Sequence, residues 1–146
     1  MKQRHKSGWL VAVLLVFPLL VTACGGKSAS DAVAEPAVVE HVAGTDVYRI
    51  TLTAETAKRL DVKTAAAQQS GGETAIPYSA VLYSPSGEAS AFVNSAPLTF
   101  VRKAIVVDRI VGDRALLSGG LAAGTNVVTV GVPELHGIES GAGGGQ

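Results

Sequence analysis

The stretch GLAAGTNVVTVGV, residues 120–132, decides the fold. Gly120 and Gly124 bracket a tight turn, a place where the backbone needs conformations that side chains resist. Leu121 points back to a core. Val128, Val130 and Val132 then alternate with Val127, Thr129 and Gly131, the period of two that marks a strand. Read outward from there, VVDRIVGDRALLSG (106–119) carries Gly112-Asp113 between two β-rich arms, a hairpin signal. In LTFVRKAIVV (98–107), Val101, Ile105 and Val107 fall on one face with Arg102 and Asp108 on the other, and Lys103 breaks the alternation.

Further upstream, TAIPYSAVLY (74–83) and ASAFVNS (89–95) flank the turn Ser84–Glu88, which holds Pro85 and Gly87 where a hairpin loop needs them. Pro77 lacks a ladder donor, so its strand should start after it or lie on an edge. VYRITLT (47–53) alternates as a half-buried strand. In TAETAKRL (53–60), Thr53 can cap a short helix that Asp61 ends. VKTAAAQQ (62–69) can continue as a strand, and Ser70-Gly71-Gly72 is a break. Six or so short strands with turns every ten residues predict a mainly β chain, a small antiparallel barrel or roll with one short helix.

The N-terminus reads as a leader. Lys2, Arg4 and Lys6 stand without an acidic residue, and Trp9–Val21 is apolar apart from Pro18. That run is too short for a bilayer-spanning helix, which needs about 20 residues. It ends in Val21-Thr22-Ala23-Cys24, with the only cysteine of the 146 residues. Residues 25–45 are rich in Ala, Ser, Gly and Glu, with Val38-Val39 the only apolar pair, and read as a flexible tether. Extended, 20 residues reach on the order of 65 Å. The tail from Glu139, with four glycines, reads as a frayed, disordered end. The expected organisation is therefore leader 1–23, tether 24–45, β domain 46–138 and tail 139–146.

Chemistry-bearing residues are sparse. Once the leader and its three cations are removed, nine basic residues face twelve acidic ones, about −3, which gives no basis for nucleic-acid binding. Two histidines remain, His41 and His136, far apart and without cysteine or methionine to join them, whereas a metal site needs three or four convergent donors. No metal or cofactor is expected. Asp108 and Asp113 flank a hairpin turn and read as solvated charges rather than an acid/base couple. No nucleophile elbow or phosphate loop occurs, so no catalytic residue is expected and the chain reads as a non-enzyme. Arg102, Lys103, Arg109 and Arg114 lie on one β-ribbon. Such charges are solvated faces in most proteins, and here they are also the candidate contact with a transporter or lipid headgroups.

Val21-Thr22-Ala23-Cys24 resembles the lipobox of bacterial lipoproteins, which implies diacylglyceryl attachment to Cys24 and an extracytoplasmic, membrane-anchored protein; the alternative is an ordinary thiol behind a conventional cleavage site. Two acyl chains suffice for stable anchoring. Pro77-Tyr78-Ser79-Ala80-Val81 and the 120–131 segment resemble the membrane-proximal part of periplasmic adaptor subunits, or membrane fusion proteins, of resistance-nodulation-division efflux pumps. ITLTAETAKRLDVKTAAA (50–67) is similar to the segment near an adaptor's N-terminus. The resemblance implies one membrane-proximal domain assembled from both chain ends, with Ser70–Glu73 standing where adaptors insert a second barrel, a lipoyl-like domain and a helical hairpin. No heptad repeat is present to build that hairpin. The implied role is binding an inner-membrane transporter without reaching the exit duct, with homo-oligomers possible since adaptors form rings. A free-standing lipoprotein that binds a small ligand or another partner is the other reading. Gly25 after the cysteine leaves open which membrane holds the anchor.

Overall fold

The computed structural model describes residues 35–143. The leader, Cys24, the first part of the expected tether and residues 144–146 lie outside the described residues. Among the described residues, eleven strands and two α-helices follow one another: β1 (Ala37–His41), β2 (Tyr48–Leu52), α1 (Ala54–Arg59), β3 (Lys63–Ala66), β4 (Gln68–Ser70), β5 (Glu73–Pro77), a 3-10 turn (Tyr78–Ala80), β6 (Leu82–Tyr83), β7 (Ala89–Ala96), β8 (Thr99–Ala104), β9 (Val106–Val111), β10 (Arg114–Gly119), β11 (Asn126–Val130) and α2 (Val132–Gly143). The chain is mainly β and its paired strands are antiparallel. It forms two sheets rather than a closed barrel: a larger one ordered β1-β2-β8-β7-β11-β3, with β6 also on β7, and a smaller one ordered β4-β5-β10-β9.

The larger sheet is the middle layer. Ala91, Val93 and Val127 face Ile76, Ala115 and Leu117 of the smaller sheet. Their neighbours Phe92 and Val128, with Ile50, Leu52 and Phe100, form a second cluster with Val132 and Leu135 of α2 and with Ala57 and Leu60 around α1. Burial on both faces turns alternation into continuous apolar runs. Val127 and Val128 are accordingly both buried, whereas Val130, expected on the same face as Val128, is 40% exposed.

Two short pivots carry the chain from one sheet to the other. Ala67 separates β3 from β4, and Ile105 separates β8 from β9; both are buried. Chains that switch sheets at bends make the corners of such packings. The turn before β11 holds both pivots. Ala67 N–H donates to Thr125 O and Gly124 N–H donates to Ala67 O, each at 2.8 Å. Gly120 (φ +104°) lies so close to the other pivot that a Cβ there would stand 2.5 Å from Ala104 O and 2.7 Å from Ile105 Cα. Leu121 packs against the inter-sheet cluster.

The short helix begins and ends where its residues dictate. Thr53 Oγ1 accepts from Thr56 N–H at 3.1 Å. At the other end Asp61 adopts φ +51°, its N–H donates to Lys58 O, and Val62 N–H donates to Ala57 O, the paired bonds of a left-handed helix stop.

Three expectations need correction. Residues 37–41, expected within a disordered tether, form β1, in register with β2 from Ala37↔Leu52 to His41↔Tyr48. Ala37 and Val39 pack on the helix-side cluster, so one ladder and two small side chains suffice to order this edge. Glu139–Gly143, expected as a disordered tail, completes α2. Gly137 and Gly141 are poor helix formers, but Val132, Leu135 and Ile138 recur on the sheet side and packing overrides propensity. A second helix therefore joins the single short one expected. Pro77 falls under the edge alternative: it ends β5, and because β4 pairs no further than Ala75 there is no neighbouring strand on that side for the missing donor to serve.

Gly120→Ala should lower unfolding stability by about 3 kcal/mol, combining left-handed strain with overpacking against fixed backbone. Gly124→Ala has open space around it and should cost only about 1 kcal/mol. Urea unfolding midpoints compare the two.

Candidate interaction surface

The four basic residues read as one ribbon occupy different surroundings. Arg102 on β8 sits opposite Phe92, hence on the helix side of the larger sheet. Its Nε donates to Glu139 Oε2 at 2.8 Å, and the Glu139 side chain is only 5% exposed. Tyr48 N–H reaches Glu139 Oε1 at 3.5 Å, and His136 Nδ1 lies 3.8 Å from Oε2. This carboxylate therefore ties α2 to β2 and β8. Arg102 is engaged in holding the fold and is not a free contact.

Arg109 on β9 sits opposite Leu116, whose neighbours Ala115 and Leu117 face the inter-sheet core, so Arg109 lies on the outer face of the smaller sheet. Its guanidinium holds Glu73 through two bonds, at 2.6 and 3.2 Å, and also Asp108. Because β10 runs between β9 and β5, the Arg109–Glu73 pair spans the strand that carries Leu116. Bonding to Glu73 first, and to Asp108 second, raises the guanidinium pKa above its ordinary value. Lys103 and Arg114 are exposed and have no ion-pair partner among the described residues. They are the two cations of the ribbon that no carboxylate among the described residues holds.

Beside Arg102 is a depression of about 160 Å³ lined by Val47, Ser84, Glu88, Ser90 and Ala104 among others. Glu88 on its rim accepts from Ser86 Oγ at 3.0 Å within the β6–β7 loop. Ligand pockets run to roughly 300–1,000 Å³, so this one is small for an organic ligand. His41 stacks edge-on with Tyr48, 5.2 Å between ring centres, and His136 lies on α2. Asp108 is held by Arg109, while Asp113 occupies the β9–β10 turn, where its carbonyl accepts from Tyr78 N–H. Among the described residues no three His, Cys, Asp or Glu side chains converge as a metal site, and no helix is long and apolar enough to cross a membrane.

One surface feature escapes the sequence reading. β9 is the outer strand of its sheet, and Val106, Ile110 and Val111 on it are 46–59% exposed. Alternation marks a strand but not its place in the sheet. Comparison with family models, curated proteins and solved structures finds no match for this chain.

Glu139→Ala should cost about 2 kcal/mol, discounted from the usual penalty for breaking a buried pair because Arg102 keeps some water contact. Adding Arg102→Met should recover part of that loss, whereas Arg114→Ala should stay within about 0.5 kcal/mol of the parent. A double-mutant cycle in urea measures all three.

Proposed function

We propose that this chain is a lipid-anchored, extracytoplasmic adaptor-like module that binds a transmembrane efflux transporter. The observation that carries the reading is the pairing of the two segments resembling opposite ends of an adaptor. β2 joins β8 and β3 joins β11, so residues before and after the Gly71-Gly72 turn share the larger sheet. A domain built from two chain ends, closed by a two-residue turn where adaptors place their distal domains, meets the requirement set by the resemblance. Val21–Cys24 supplies the anchor. Acyl chains confine the domain near its target and raise its effective concentration there.

Lys103 and Arg114 are the residues available for the transporter or for acidic headgroups near it. A small-ligand binding role gains less support, because the depression beside Arg102 is small and its four polar side chains, Ser84, Glu88, Ser90 and Arg102, all bond within the protein. No catalytic step belongs to this reading.

Metabolic labelling with an alkyne fatty acid should mark the intact protein, and Cys24→Ser should abolish the label and release the protein from membranes. Crosslinking in cells followed by mass spectrometry should recover an inner-membrane transporter. The combined Lys103→Glu, Arg114→Glu variant should reduce that yield several-fold without moving the thermal midpoint. Labelled protein that crosslinks to no transport component would overturn the efflux reading while leaving the anchor intact.

A further inference from the structure

We propose that β9 is a self-complementary edge through which two copies of this chain join their smaller sheets into one continuous antiparallel sheet. The strand reads Val106-Val107-Asp108-Arg109-Ile110-Val111. Reversed, it has the same chemical order. A two-fold axis between Asp108 and Arg109 sets Val106 against Val111 of the second copy, Val107 against Ile110, and Asp108 against Arg109. Directly opposed apolar and opposite-charge pairs are the stabilising units of antiparallel pairing.

The faces agree as well as the charges, and this depends on a bulge. In a regular strand, residues 107 and 110 point to opposite faces, and such a two-fold would pair an inward residue with an outward one. Here Arg109 and Val107 oppose consecutive residues of β10, Leu116 and Leu117, leaving Asp108 as the extra residue. Val107 opposes Leu117 and Ile110 opposes Ala115, and both partners belong to the inter-sheet core. Val107 and Ile110 therefore share the inner face. Arg109, opposite Leu116, and Val111, opposite Arg114, share the outer one, and Asp108 is drawn to Arg109 by their ion pair. Val106, next to Val107, turns outward too. Each pair across the two-fold thus joins residues of one face.

The occupant is a second copy for a specific reason. Charged residues and bulges on an edge strand ordinarily repel other strands. These two charges and this bulge exclude most sequences but match their own image. The opposite edge of the same sheet, β4, is a three-residue polar strand, Gln68–Ser70, and offers no such match. A pairing that uses the same patch twice is closed, giving a dimer rather than a fibre.

Sedimentation velocity of the full-length chain, detergent-solubilised and density-matched, from about 1 to 100 µM should show a reversible monomer–dimer equilibrium. Val111→Glu sets an unpaired carboxylate against Val106 of the second copy and should weaken the dimer roughly tenfold. Combining it with Val106→Lys places opposite charges across the two-fold and should restore affinity to within about threefold. Both positions are more than half exposed, and unchanged thermal midpoints will show that each variant folds. A chain monomeric at every concentration, a dimer indifferent to Val111→Glu, or a lack of rescue by the second substitution each overturns the proposal.

Discussion

The architecture depends on a single clamp, the turn from Gly119 to Thr125. A chain that changes sheets must bend, and each bend exposes backbone groups that the ladders no longer satisfy. One pivot, Ala67, receives its two bonds from Gly124 and Thr125; the other, Ile105, is fixed by its bond to Ala89 O and by contact with Gly120. One turn thus holds the two shortest of the chain's passages between the sheets. The larger sheet can then stand as a middle layer, with a core on each face, in a domain of little more than a hundred residues.

Much of this was legible in the chain. The glycines of that turn, the hairpins at Ser84–Glu88 and Gly112-Asp113, and the short helix between Thr53 and Asp61 all rest on local chemistry: caps, turn residues and alternation. What escaped was set by tertiary placement. Val127 and Val128 look like one inward and one outward residue until layers cover both sides. Ala37 and Val39 carry too little surface to announce a strand without β2 beside them. Glycines at 137 and 141 conceal a helix that packing alone holds.

The candidate surface was less legible still. Four cations close in sequence suggested a patch, but two of them are held by carboxylates 36 and 37 residues away, Glu73 for Arg109 and Glu139 for Arg102. Charge partners so distant leave no local trace. Arg102 with Glu139 docks a helix, and Arg109 with Glu73 straps the outer face of the smaller sheet. Only Lys103 and Arg114 have no such carboxylate among the described residues. Removing any one of the four would thus test a different property.

The Gly71-Gly72 turn leaves Ser70 and Glu73 as paired neighbours on β4 and β5, with open space around both glycines. Strand neighbours lie only about 5 Å apart, so the chain leaves and re-enters the domain through almost a single point. Loop-closure entropy rises only with the logarithm of length, and folded units commonly bring their own termini close together. This turn is therefore a port: a guest domain of any size could be grafted there while Glu73, staked to Arg109, keeps the returning strand in place.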